Sequence, residues 1–204
     1  MKRDYTVGVA AVLFPVLTFV GLVLSNPPGG NYSAKHISDF VAHGHRPVIY
    51  VSLYLLLLAA AALLYLVSGL RERVVGGFAS RLFATTGYAA GAAWAIGAAL
   101  IFTVPVGLAN GGHLPSDSNV IYMFSQAGFV IIFDAGGILL ALALLGLAAG
   151  ARAAVPSWLR WFTVLAGVVG LASFAFFPFF ILLIWSLVFG IWLLASGTGD
   201  RATT

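Results

Sequence analysis

The 204-residue chain contains no cysteine, and Lys, Arg, Asp and Glu together make up only 8% of it. The absence of cysteine excludes disulfides, thiolate metal sites, iron–sulfur clusters and a cysteine nucleophile. A soluble domain averages about 25% charged residues, so the scarcity of charge argues against a soluble globular protein. The sequence also lacks a GxSxG nucleophile motif, a Walker loop and a dinucleotide-binding fingerprint, which leaves no standard enzymatic signature.

Long apolar runs dominate what is present, since 61% of the residues are hydrophobic. Runs of about 20 apolar residues match the thickness of a bilayer core when they are helical. We therefore predict an all-α, polytopic membrane protein that forms one domain over residues 1–204, a compact bundle of six transmembrane helices. The predicted spans are 6–25, 47–70, 82–106, 119–149, 159–177 and 179–197. The last two share one apolar stretch, in which Pro178 is expected to form a tight turn.

The placement of Lys and Arg predicts the orientation of these spans. One set of helix ends carries eight of the ten basic residues, whereas the opposite set carries only Lys35 and Arg46. Basic residues are favoured on the cytoplasmic side of a membrane. We therefore predict that both termini are cytoplasmic and that the long first loop, 26–46, is external.

The first external loop combines turn-forming residues with histidines. Ser33 is expected to cap a short amphipathic helix in SAKHISDFVAH. His36, Asp39 and His43 are spaced at i, i+3 and i+7, so they lie on one face of that helix, next to its apolar face. They form a candidate zinc or copper site. The alternative is an ordinary polar loop that binds no metal.

A single carboxylate, Asp134, interrupts the apolar run FVIIFDAGGILL at 129–140. A charge at the bilayer centre costs at least about 2.5–3.5 kcal/mol, so the side chain is expected to face the bundle interior. With no basic residue at its depth, we expect it to be protonated unless water or a cation reaches it. Gly136 and Gly137 are expected to let another helix approach closely beside it.

Two roles for this acid stay open. Gln126 and Asp134 are predicted to share a helix face at about 100° per residue, and would form the floor of an outward-facing polar cavity. His45, Arg46 and His113 would form the rim of this ligand-binding site. Alternatively, the acid is structural and hydrogen-bonds between helices to the neutral partners expected at its depth, Thr18, Trp94 and Ser186.

Two stretches resemble motifs of a bacterial, mostly actinobacterial, family of uncharacterised six-span integral membrane proteins. They are the loop PPGGNYSAKHISDFVAHGHR, which enters an apolar span, and Pro156-Ser-Trp158-Leu-Arg-Trp161 before the last hairpin. The resemblance covers nearly the whole chain. It implies a multi-pass protein of a bacterial plasma membrane, and it carries no catalytic residue over to this sequence.

These observations favour a non-enzymatic protein that binds a small ligand or lipid and has a role related to transport. Membrane lipids are the expected partners, nucleic acid is not, and no cofactor is expected unless the histidines hold zinc or copper. Two alternatives stay open. One is a non-catalytic membrane subunit that docks a partner protein, or a second copy, by its small-residue faces. The other is a metal-dependent membrane enzyme at the external histidines.

Overall fold

The computed structural model describes residues 2–30, 33–72, 74–113, 117–150 and 155–199, and within these ranges it contains helices and no strand. The all-α prediction is therefore confirmed. The helices are α1 (Lys2–Ser25), α2 (Ala34–Val41), α3 (Arg46–Arg71), α4 (Gly77–Ala109), α5 (Ser118–Phe129), α6 (Gly137–Gly150), α7 (Ser157–Gly170) and α8 (Phe179–Gly199). A π-helical segment, Val130–Gly136, joins α5 to α6 without a break.

Five helical segments of the described chain are long and apolar enough to cross a membrane, so the predicted number of six spans is wrong. The membrane-like character of the protein is confirmed. The five segments are Tyr5–Ser25, Arg46–Arg71, Gly77–Leu108, Ser118–Gly150 and Phe179–Ser196.

The predicted fifth span, 159–177, is a shorter helix followed by an irregular turn. Helix α7 has 14 residues. At 1.5 Å per residue it is about 21 Å long, well under the roughly 30 Å of a bilayer core. The helix ends where the Ser173 hydroxyl donates a hydrogen bond to the Gly170 carbonyl. Because the turn, 171–178, is as apolar as a helix, hydropathy did not reveal where α7 stops.

The helices close into a ring in near-sequential order. Helix α1 packs against α3 and α8, α4 packs against α3 and α6, and α7 lies between α6 and α8. We call the end of the bundle where α1 begins and α3 ends the basic end, and the opposite end the α2 end. The side of the membrane that each end faces stays a prediction.

Glycines allow the closest helix crossings. A Cβ atom at Gly128 of α5 would lie 2.5 Å from the carbonyl oxygen of Gly97 on α4, closer than real carbon atoms approach. The Gly87 and Gly91 pair packs against Val67 and Leu64 of α3. These small residues therefore serve contacts within the chain, where close approach favours helix association.

The short helix in the first loop is present as predicted. The Ser33 hydroxyl accepts a hydrogen bond from the backbone N–H of His36 and caps α2. Ile37 and Phe40 are buried, and the Phe40 ring lies 6.2 Å from that of Phe102 on α4. The apolar face of α2 thus covers the end of the bundle itself.

Candidate functional site

A cavity of about 580 Å³ lies in the half of the bundle nearer the α2 end. The cavity is present because the turn 171–178 does not reach that end of the bundle. Helix α8 begins at Phe179, whose ring stacks on Trp94 at 5.4 Å, whereas α4 continues past Trp94 to Ala109. Helices α1 and α5 face each other across the space that a longer hairpin would fill.

The cavity has four walls from separate parts of the chain. Helix α1 contributes Thr18, Phe19, Leu22 and Val23, and the first loop contributes Asn26, Pro27, Gly29, Gly30 and His36. The α5 side contributes Gln126, Phe129 and Phe133, and the region of the turn contributes Phe176, Phe179, Phe180 and Leu183. Most of this lining is apolar, and the polar side chains other than Thr18 lie at the α2 end.

Trp94 forms the packed base beneath the cavity. It is fully buried, its ring meets that of Phe14 edge-on at 5.0 Å, and its indole N–H donates to the Thr18 hydroxyl at 3.3 Å. The Thr18 hydroxyl itself donates to the Phe14 carbonyl at 2.8 Å. Because this network satisfies the polar atoms at the base, the deep end of the cavity presents hydrocarbon.

Phe176, within the turn, has an unusual backbone conformation. Its φ is 65° and its ψ is −57°, and the Phe177 N–H donates to the Ala175 carbonyl at 2.8 Å. These values describe a γ-turn of the rare, strained type. The Phe176 ring lies edge-on to Phe133 at 5.1 Å and to Phe180 at 5.4 Å. These ring contacts maintain the strained backbone in the cavity wall, and such strain is frequent at functional sites.

The π-helical segment forms part of the opposite wall. Phe129 precedes it and Phe133 lies inside it, and their rings stack at 5.4 Å with an interplanar angle of 11°. π-Helical turns are rare and frequently occur at functional sites. The segment also packs against α4 at Gly97, where Ile132 fills the space that a side chain would need.

The first loop is tied to the bundle by hydrogen bonds around the mouth of the cavity. The Ser125 hydroxyl donates to the Pro28 carbonyl at 2.7 Å, and the Tyr122 hydroxyl donates to the Gly30 carbonyl at 3.0 Å. His36 donates from Nε2 to the Asn26 carbonyl at 2.8 Å. Gln126 differs from these residues, because its buried Nε2 has no hydrogen-bond partner within the described chain.

Both Gln126 and Asp134 are predicted ligand-binding residues. Gln126 lines the cavity, and Asp134 does not. Phe133 lines the cavity, and successive residues of a helical segment point in different directions. Asp134 is half-buried beside the exposed residues Val130 and Ala135. The structure gives its carboxylate no hydrogen bond within the described residues. A role for Asp134 in ligand binding stays a prediction.

The neutral partners expected for Asp134 bind elsewhere. Trp94 and Thr18 bond to each other, and the Ser186 hydroxyl donates to the Ala11 carbonyl at 2.8 Å. The neighbouring glycines do allow the predicted close approach. A Cβ at Gly136 would meet the Trp94 ring at 3.1 Å, and a Cβ at Gly137 would meet Ser173 at 2.7 Å.

The three predicted rim residues also lie outside the cavity lining. His45 is half-buried, and its Nε2 lies 3.4 Å from the Ser25 carbonyl at the end of α1. Arg46 begins α3, and His113 is exposed after the end of α4. The structure thus brings together Gln126 and His36 at the mouth, and the ligand-binding roles of the other three remain predictions.

The predicted metal site is not assembled by the residues that the structure describes. Within them, no group of three His, Cys, Asp or Glu side chains is arranged to hold a metal ion. His36 bonds to the Asn26 carbonyl, and Asp39 forms an exposed ion pair with Lys35 at 2.7 Å. The side chain of His43 lies outside the described part, so zinc or copper binding by this set stays a prediction.

The aromatic lining was missed at the level of sequence. Its signals are the Phe129 and Phe133 pair, spaced i and i+4, and the run FFPFF at 176–180. In the sequence this run indicates only a turn, because phenylalanine is ordinary in apolar helices. The fold brings the two groups together through the turn 171–178, and this contact has no counterpart in sequence spacing.

Comparison with protein-family models, curated proteins and solved structures finds no match to this chain. The resemblance to an actinobacterial membrane protein family therefore stays a prediction.

Proposed function

We propose that this protein binds an apolar or amphiphilic molecule drawn from a membrane, in the cavity between α1, α5 and the turn 171–178. The observation that supports this proposal is a cavity of about 580 Å³ with an aromatic deep end and a polar mouth. Small-molecule sites typically have volumes of about 300–1,000 Å³, with mainly apolar linings and a few polar groups that orient the ligand.

The exposure of the lining residues supports entry from the side of the bundle. Phe19 and Val23 on α1 are 58% and 59% exposed, and Phe176 on the opposite edge is 45% exposed. These residues lie on the outer surface of an apolar helical bundle, where a membrane would supply hydrocarbon. An amphiphile could thus enter between α1 and the turn without leaving the apolar phase.

Transport of the bound molecule and a plasma-membrane location belong to the same proposal. They are supported by the apolar helices and by the exposure of cavity-lining residues on the side of the bundle. The roles as a docking subunit and as a metal-dependent enzyme have no specific observation in their favour, and they remain predictions.

Two valines on α1 provide a matched test of the site. Val23 lines the cavity, whereas Val16 is 44% exposed on the same helix and does not. With a pyrene-labelled fatty-acid methyl ester in lipid nanodiscs, Val23→Trp is expected to weaken binding about tenfold, equivalent to about 1.4 kcal/mol. Val16→Trp should leave the affinity within about twofold of the wild type.

Pyrene fluorescence titration measures both affinities. Absence of saturable binding to the wild-type protein, or an equal loss of affinity in both variants, would contradict the proposed site.

A further inference from the structure

We infer that the cavity selects an amphiphile whose head group is uncharged and carries a hydrogen-bond acceptor, such as an ester or ketone carbonyl. In this arrangement the Gln126 amide donates to that acceptor, and the hydrocarbon tail lies against the phenylalanines at the deep end. This inference rests on the proposed function, because it identifies the class of ligand for the same cavity.

The buried amide of Gln126 is the donor that such a ligand would meet. Its Nε2 is buried without a partner in the described chain, and burying an unpaired polar group is unfavourable. The Asn26, Pro28 and Gly30 carbonyls of the adjoining loop pair with His36, Ser125 and Tyr122. A ligand with its own acceptor would satisfy the amide without breaking any of these bonds.

Gly29 keeps the space beside this amide open. A Cβ atom there would lie 3.5 Å from Gln126 Nε2 and 3.0 Å from the Phe129 ring. A larger residue would therefore press on the Phe129 ring and fill the space beside the amide. The loop thus leaves room at the buried amide nitrogen that lacks a partner in the described chain.

The charge of the lining argues for an uncharged head group. No Lys, Arg, Asp or Glu of the described chain lines the cavity. Its one histidine, His36, already uses Nε2 to bond the Asn26 carbonyl. The nearby Lys35 ammonium is paired with Asp39 on the exposed face of α2. A carboxylate or phosphate would therefore enter without a free counter-charge, which is unfavourable in an apolar site.

The positions of the polar and aromatic residues determine which end of the ligand lies at the mouth of the cavity and which lies at its base. Gln126 lies toward the α2 end, and Phe133 follows it by seven residues, or about 10 Å along the helix. Phe179 lies at the base, with its ring 4.5 Å from that of Phe133. An extended ligand with its acceptor at Gln126 thus directs its tail along Phe129 toward these rings.

The test compares three unlabelled competitors of equal chain length in nanodiscs: hexadecane, methyl palmitate and ionised palmitate at pH 9. Each displaces the pyrene-labelled methyl ester from the wild type, from Gln126→Leu and from Gln126→Met, which is closer to glutamine in shape. Thr103→Val is the control, because Thr103 is exposed on α4 and donates to its own helix at the Ala99 carbonyl. Thermal unfolding checks that each variant is folded.

For the wild type and for Thr103→Val, methyl palmitate should displace the probe at roughly tenfold lower concentration than hexadecane. It should also act at a lower concentration than palmitate. The reason is that only the ester pairs with the amide without bringing an unpaired charge into the cavity. In Gln126→Leu and Gln126→Met this advantage over hexadecane should fall to within about twofold, while hexadecane itself still binds.

An advantage that persists in both variants would overturn the inference. So would tighter binding of palmitate, or equal binding of hexadecane and the ester by the wild type. If no competitor displaces the probe, the proposed function itself fails.

Discussion

At the residue scale, several polar side chains around the cavity form hydrogen bonds within the described chain. Trp94 and Thr18 bond at the base of the cavity, and Ser125 and His36 hold the first loop at its mouth. Gln126 is the exception in the cavity wall, since its amide nitrogen is buried without a partner in the described chain. The candidate site is thus marked by an unsatisfied donor next to aromatic rings.

Asp134 is a carboxylate within an apolar stretch of the sequence, but it lies outside this site. Asp134→Asn is expected to leave the affinity for the pyrene-labelled ester within about twofold, because the carboxylate does not line the cavity. Fluorescence titration measures the affinity. A loss of tenfold or more, with an unchanged unfolding midpoint, would instead support the predicted role of Asp134 in ligand binding.

At the element scale, one short hairpin determines where the cavity lies. Helix α7 ends at Gly170 and α8 begins at Phe179, so the turn between them reaches only to the depth of Trp94. The opposite wall is continuous, because the π-helical segment joins α5 to α6. Apolar pattern predicted the helices of both walls, but it did not predict the length of α7 or the π-helical turns.

The crossing of α4 and α5 provides a prediction about helix packing. Gly128→Ala is expected to lower the free energy of unfolding by about 1–3 kcal/mol, because the new Cβ would collide with the Gly97 carbonyl. Gly107→Ala is the control, since no atom lies within 4 Å of its added Cβ. It should cause no loss, because alanine is the better helix former. Thermal unfolding in detergent measures both, and equal effects would contradict this account of the crossing.

At the scale of the whole molecule, the helices of the described chain form a ring, with a cavity in the half nearer the α2 end. The first loop and α2 cover part of that end, where Ile37 and Phe40 are buried against the bundle. If the basic end is cytoplasmic, as the distribution of Lys and Arg predicts, the cavity lies in the outer half of the membrane.

The absence of cysteine permits a direct test of this orientation. Ser38 on α2 and Ser157 at the start of α7 are both exposed, and they lie at opposite ends of the bundle. A membrane-impermeant maleimide is expected to label Ser38→Cys in intact cells, but Ser157→Cys only after permeabilisation. The wild-type chain is the blank, and the reverse pattern would overturn the predicted orientation.

The sequence alone determined the all-α class, the apolar helices at the first four predicted spans and at the last one, and the capped helix α2. These features depend on composition, on runs of apolar residues and on local hydrogen bonds such as that of Ser33, all of which are properties of neighbouring residues. Tertiary structure alone decided that α7 is short, that Gln126 faces a cavity and that Asp134 does not. Helix ends within an apolar stretch depend on contacts such as Ser173 with Gly137, and a cavity is the space that distant segments leave between them.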